Sequence, residues 1–352
     1  MRLEHEILEL RTLHAFNIAR EAAPAARHSV WVRLTDDDGN TGWGEAAATP
    51  YYGETAATVA AVLPRYQQAM EEGAAGDPFA LERIEKRIAA SVGYNPSARS
   101  AISAALHDLV GKRLGVPVWK LWGLDPASAP ASSFTIGIDE LEVMRAKVRE
   151  ASGYPILKIK VGTARDEQIL AMIRDEAPEV VIRVDANTAW TAKEAIRACD
   201  MLESYGVEFV EQPLPPADTE GLRLLRRRAR LPIVADESCR TSADIPALVG
   251  AVDGVNIKLA KCGSLREAIR IVHAARAHGM KVMLGCMIES TLGIAAAVQL
   301  APLMDYVDLD GAALLASDPF RGPGMERNGL LRFNDQAGLG VTVVGVTGPG
   351  VT

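Results

Sequence analysis

The sequence is poor in the features that advertise a partner or a compartment. No stripe of Lys and Arg stands out, and a net charge of −7 with a pI near 5.5 argues against a nucleic-acid partner. The most basic stretch, Arg223 to Arg230, falls where a surface helix is expected, and it reads as a solvated face. The four cysteines (Cys199, Cys239, Cys262, Cys286) show no CxxC spacing and no disulfide framework. Free thiols in a reducing cytoplasm fit that pattern. The longest apolar stretch, Thr291 to Met304, is too short to span a bilayer and carries Gly293 and Pro302. The opening segment MRLEHEILEL is charged throughout and is no signal peptide. No GxGxxG follows the first strand, which argues against a dinucleotide fold. A soluble, cytoplasmic protein with neither membrane nor nucleic acid as partner is the expectation.

What is present is the composition of a folded globular chain. Of 352 residues, 48% are hydrophobic and 24% charged, enough for a barrel and a smaller domain. The first third reads as α+β: strands at Ile7–Leu13 and Ser29–Thr35, then the turn-rich Asp36–Asn40 and a third strand at Thr41–Glu45. From Ala98 to Gly115, residues Ile102, Ala105, Leu106, Leu109 and Val110 recur at helical spacing and predict one apolar stripe. From about Ser133 the pattern becomes short apolar runs alternating with amphipathic helices. The runs are Phe134–Ile138, Ile156–Lys160, Val181–Asp185, Phe209–Glu211, Ile233–Asp236, Gly254–Lys258, Val282–Leu284 and Tyr306–Asp308. Eight such runs predict a parallel sheet closed into an α/β barrel.

The ends of these runs are polar. Lys160, Asp185, Glu211, Asp236 and Lys258 each close one run, at separations of 25, 26, 25 and 22 residues, about one βα unit apiece. Strand C-termini in such a barrel share the face where active sites lie. Three carboxylates gathered there repel one another. A hard divalent cation relieves the repulsion, and an all-oxygen donor set favours Mg²⁺ or Mn²⁺ over Zn²⁺. In Lys158-Ile159-Lys160 the two lysines share one side of the strand, which places both inside the barrel. Close to another ammonium and a cation, such a lysine is expected to have a lowered pKa and to act as a base. Lys258 approaches from the opposite side. Two bases flanking one carbon are what a racemase or epimerase needs.

The segments LKIKVG, RVDAN, VEQP, ADES and NIKLAKCG, in that order, resemble the enolase superfamily in its muconate-lactonizing-enzyme subgroup. The stretch from Ala98 to Gly123 is similar to the piece joining that family's capping domain to its barrel. The resemblance implies a modified (β/α)₇β barrel over residues 119–316. It also implies an α+β capping domain over 1–118 and a segment, 317–352, packing back on the cap. It further implies Mg²⁺ ligation by Asp185, Glu211 and Asp236 and acid–base roles for Lys160 and Lys258, the superfamily's general pattern. Lys158 adds positive charge where an enolate forms, and Glu289 and Asn187 support the residues around the metal. Homo-oligomers are common among such proteins.

The last run ends in Asp308-Leu309-Asp310-Gly311, with both acids on one side. This DxD resembles the pattern of dipeptide epimerases, where it binds the substrate's ammonium. The implied reaction is Mg²⁺-dependent 1,1-proton transfer at the C-terminal residue of an L,L-dipeptide. Rivals are o-succinylbenzoate synthase, N-acylamino acid racemase and a muconate-type cycloisomerase. Thr135 and Ile288 are expected to line the pocket. Capping loops around Phe16–His28 and Ala46–Glu54 are expected to select side chains. Arg20 and Arg27 bracket the arginine that Ala-Glu epimerases use, without matching it, and Ala22, Ala23, Ala25 and Ala26 make the loop apolar. A hydrophobic dipeptide therefore rivals an acidic one.

Overall fold

The computed structural model describes residues 1–20 and 26–344; Ala22, Ala23 and Ala25 of the capping loop and the end of the 317–352 segment lie outside them. Strands β1 (Arg2–Leu10), β2 (Arg27–Thr35) and β3 (Thr41–Ala46) form an antiparallel sheet. The turn between β2 and β3 is held by Asp36, whose Oδ1 accepts from the amides of Asp38 and Asn40 at 3.0 and 2.8 Å. Strand β1 lies earlier than the Ile7–Leu13 reading, because pairing runs back to Arg2 opposite Thr35. An edge strand with charged side chains hides its start from hydrophobic pattern alone.

Helices α1 (Ala56–Ala74), α2 (Leu81–Ser91) and α3 (Pro96–Leu114) complete this unit. The single apolar stripe expected for α3 is not what forms. Every residue from Pro96 to Gly111 except Arg99 is buried, because α3 lies between the cap sheet and the barrel. Small residues allow the fit. A Cβ on Gly42 or Gly44 would come within 2.0 Å of the carbonyl oxygens of Ala105 and Ala101 respectively.

The barrel strands are β4 (Phe134–Ile136), β5 (Ile156–Lys160), β6 (Val181–Asp185), β7 (Val207–Glu211), β8 (Ile233–Ala235), β9 (Gly254–Ile257), β10 (Lys281–Gly285) and β11 (Tyr306–Asp308). They pair in parallel in sequence order. The ends of the sheet meet where Ser132 bridges Val307 and the Ser133 amide donates to Val307 O at 3.0 Å. Eight parallel strands thus form a nearly closed barrel, and each run read from sequence becomes a strand within a few residues of its predicted ends. β11 is followed directly by a 3₁₀ turn, Gly311–Leu314, where the earlier barrel strands lead into helices.

Alternation sorts the barrel interior into layers. Phe209, Val234, Met283 and Tyr306 pack together at the lower level, with the Arg183 guanidinium 5.3 Å from the Phe209 ring and 4.9 Å from that of Tyr306. Two residues further on in these strands stand Glu211, Asp236, Gly285, Asp308 and Asp185. The apolar layer thus forms a floor beneath a polar mouth.

Cap and barrel are joined through buried polar contacts. The Glu45 carboxylate of β3 accepts from Ser29 Oγ at 2.7 Å, from the Ser290 amide and hydroxyl, and from the Gly293 amide at 3.1 Å. A residue of the cap thereby caps the barrel helix Thr291–Val298. In the 317–344 stretch, the Leu339 amide donates to Asp108 of α3 at 2.7 Å, and the Phe320 ring lies 6.3 Å from that of Trp43. Among the described residues no helix is long and apolar enough to cross a membrane.

Candidate active site

The barrel mouth opens into a cavity of about 610 Å³ between the strand ends and the capping loops. Lys158, Lys160, Lys258, Asn187, Thr135, Ile288, Asp308 and Asp310 all line it, as do Arg20 and Arg27. Beneath it, carboxylate oxygens of Asp185, Glu211 and Asp236 lie within 4.8 Å of one another, all three side chains being buried.

These acids are held by lysines on every side. Lys160 donates to Asp185 at 2.7 Å and Lys258 to Asp236 at 2.7 Å. The Lys158 ammonium lies 3.2 Å from Asp185, 2.7 Å from Glu211 and 2.8 Å from Asp308. Lys160 and Lys258 face one cavity from β5 and the end of β9, with the three acid-bearing strands between them. Room for the Lys258 stem comes from Gly285, where a Cβ would sit 3.0 Å from Lys258 Cε.

The charge balance is uneven. Burial, then the neighbouring Asp185 carboxylate, pushes Glu211 up to about 7. Burial works the same way on Asp185, but Lys160 and Lys158 outweigh it and hold that acid below the usual range. The lowered lysine pKa expected from sequence is not produced by the protein's own charges. Burial does favour neutral amines, yet Asp308, Glu211 and Asp185 raise Lys158 well above its ordinary value, and Asp236 raises Lys258. Two facing ammoniums count for less than the acids between them. A carboxylate cluster this tight, with one member driven towards protonation, is a donor set suited to a hard cation.

Beside Lys158, Asp308 Oδ1 accepts from Ser133 Oγ at 2.6 Å, and Asp310 Oδ2 accepts from the Thr135 amide at 2.6 Å. Burial and the adjacent Asp308 push Asp310 up to about 7. Both acids line the cavity, as the alternation predicts.

The residues 142–345 match the model described as enolase C-terminal domain-like, and 4–123 match that of the mandelate racemase/muconate lactonizing enzyme N-terminal domain. The chain belongs to the enolase superfamily. It is 39% identical over 338 residues to an L-Ala-D/L-Glu epimerase of Bacteroides thetaiotaomicron, covering 95% of this chain and 85% of that one. It is 38% identical over 349 residues to a hydrophobic dipeptide epimerase of Roseobacter litoralis, covering 97% and 98%. Among solved structures it superposes on the dipeptide epimerase of Enterococcus faecalis, complexed with Mg and L-Leu-L-Tyr, with a TM-score of 0.90. That match has 34% identity and covers 97% of this chain and 98% of that one.

Other parts of this superfamily site escaped the sequence reading. Asn256 donates to Glu211 Oε1 at 2.7 Å, and fully buried Lys261 contacts both Asp236 Oδ1 and the carbonyls of Cys239 and Asn256. Asn256 stands two residues before Lys258, so the alternation that placed the lysines was signal enough for it. Lys261 sits on a helical turn, where that rule is silent. Asn187 supports Asp185 through its amide at 2.9 Å. Glu289 accepts from the Met287 amide at 2.9 Å and is pushed up to about 8, by burial first and then by Glu45. Arg20 is bound to the barrel: it pairs with Glu237 and donates to Asn187 O at 3.4 Å, and its guanidinium lies 3.8 Å over the Tyr51 ring.

Proposed function

We propose that the protein is a dipeptide epimerase, an isomerase that inverts the α-carbon of the C-terminal residue of L,L-dipeptides. The observation carrying this reading is one cavity with Lys160 and Lys258 on opposite sides, three buried acids beneath, and the Asp308/Asp310 pair in its wall. Asp185, Glu211 and Asp236 would hold Mg²⁺, with Mn²⁺ as a substitute; Asn187 supports Asp185, whereas Glu289 holds the Met287 amide. A cation held there would offset the carboxylate charge that keeps the lysines protonated and would supply positive charge against a carboxylate gaining electrons. One lysine, as the free amine, removes the α-proton, and the C–H electron pair passes into the substrate carboxylate. The other, as ammonium, returns a proton to the opposite face. The net change is inversion with no loss of atoms. Lys158 holds positive charge beside the carboxylate, while Asp308 and Asp310 receive the substrate ammonium. A homo-oligomeric cytoplasmic enzyme, with a cap over 1–118, a barrel over 119–316 and a returning 317–352 segment, is part of the same proposal.

The ion pair of Arg20 bears on the side chain at the inverted carbon. Drawing Arg20 away to bind an acidic side chain would strand Glu237, whose side chain is 1% exposed, and an unpaired buried charge is costly. Ile18, Ala47 and Ile288 offer apolar walls in the same cavity. A hydrophobic C-terminal residue is therefore the preferred substrate.

Incubating the protein with Mg²⁺ and pooled L,L-dipeptides in D₂O should add one deuterium at one α-carbon, most strongly in hydrophobic members. A complete lack of exchange across the pool would end the epimerase reading. Asp308 separates this reading from its rivals, since an N-acylated or anionic substrate gains nothing from two acids. Asp308→Asn should lower kcat/KM for dipeptides by about 10²-fold, the scale of losing one partner of a buried charge pair. Unchanged dipeptide turnover in that variant would favour an N-acylamino acid racemase.

A further inference from the structure

The geometry points to Asn256 and Lys261 as positioning residues that select the metal. Each ties up one oxygen of a triad acid, as the Asn187 amide does, so that every acid offers a single oxygen and the site takes Mg²⁺ in preference to Ca²⁺. The inference deepens the Mg²⁺ reading above and rests on it. One pattern holds at all three acids. A group of the scaffold binds the first oxygen: Asp185 Oδ1 accepts from the Asn187 amide at 2.9 Å, Glu211 Oε1 from Asn256 Nδ2 at 2.7 Å, and Asp236 Oδ1 from Lys261 Nζ. A lysine that lines the cavity binds the second. Asp185 Oδ2 lies 2.7 Å from Lys160, Glu211 Oε2 2.7 Å from Lys158, and Asp236 Oδ2 2.7 Å from Lys258. Asn187 Nδ2 reaches Asp185 Oδ2 only at 3.3 Å.

The two side-chain locks are themselves held in place. Lys261 is 1% exposed and donates also to the carbonyl oxygens of Asp236, Cys239 and Asn256, so its ammonium is fixed from several directions. The Asn256 carboxamide lies against Gly285, where a Cβ would come within 2.8 Å of both Nδ2 and Oδ1. Asn256 Oδ1 is buried and has no hydrogen-bond partner among the described residues. An orphaned acceptor is costly, and an apolar residue would avoid it; what Asn256 contributes instead is a fixed position for Glu211 Oε1. Ca²⁺ gathers about six to eight oxygens and often takes both from one carboxylate, whereas Mg²⁺ accepts single oxygens in a near-ideal octahedron. Three acids limited to one oxygen apiece fill half of such an octahedron and leave the rest to water and substrate. Ca²⁺ finds too few oxygens here, because the second one on each acid is already bonded.

The test releases one lock at a time. Asn256→Ala frees Glu211 Oε1 and removes the orphaned acceptor with it, so the fold should hold; Lys261→Met frees Asp236 Oδ1 independently. Metal-free wild type and both variants are titrated calorimetrically with Mg²⁺ and with Ca²⁺, without dipeptide. The wild type should bind Mg²⁺ more tightly than Ca²⁺. Each variant should bind Mg²⁺ about tenfold more weakly, the scale of losing a partner that orients a metal ligand. Ca²⁺ binding should hold or tighten, so that the ratio of the two affinities falls by about tenfold or more. Residues that matter only for packing would weaken both ions alike, and an unmoved ratio overturns the inference, as does a wild type that binds the two ions equally. Where Lys261→Met does not fold, Asn256→Ala decides alone. A wild type that binds neither ion undoes the Mg²⁺ reading of the triad, and the selectivity with it.

Discussion

Lys160→Ala should lower epimerisation by about 10³–10⁴-fold, the scale of removing a positioned acid–base group. The fold should tolerate the change, because Asp185 keeps Lys158 at 3.2 Å and the Asn187 amide at 2.9 Å. Circular dichroism and Mg²⁺ titration calorimetry should therefore resemble the wild type. The variant keeps Lys258, and a single base can still exchange the proton that faces it. In D₂O one epimer of the dipeptide should then take up deuterium without inverting, while the other stays inert. Lys258→Ala should reverse which epimer exchanges. Inversion at near wild-type rate in either variant would show that the two lysines do not divide the faces of the carbon.

Removal of divalent metal should be as damaging. An α-proton beside a carboxylate is too weakly acidic for an amine unless the enediolate charge is met as it forms. Losing that stabilisation costs at least about 10³-fold. Dialysis against a chelator should silence the enzyme, with Mg²⁺ or Mn²⁺ restoring it. The same titration should raise the melting temperature, because a ligand bound only by the folded state stabilises it, by about 2.7 kcal/mol at a hundredfold excess over Kd. Full activity after exhaustive chelation would remove the metal from the scheme, and with it the role given to Asp185, Glu211 and Asp236.

Much of this site was legible in the sequence because its rules are local. A lysine two residues from another shares its side of a strand, and an acid that closes an apolar run arrives at the barrel mouth with its strand. What was illegible depends on distance through space. Arg20 meets Glu237 across 217 positions, and no spacing rule connects a cap loop to the residue beside Asp236. The charge environment of Lys158 is likewise built from distant parts of the chain. Adjacency in sequence revealed the second ammonium, while the three carboxylates around Lys158 come from three other strands. Helix α3 was misread because Ala, Ser and Gly bury well without registering as hydrophobic, so a helix enclosed on all sides looked like one with a single apolar face.

The Glu45 carboxylate has a bearing on how such enzymes can be re-engineered. It reaches from the cap to the start of a barrel helix, and the loop leading into that helix carries Met287 and Ile288, which line the cavity. The two halves are therefore not interchangeable modules. A chimera that joins this barrel to a foreign cap keeps its pocket wall in place only when the donor supplies an acid at the matching point of its third strand. Specificity borrowed by swapping caps without that acid would come with a slackened barrel loop.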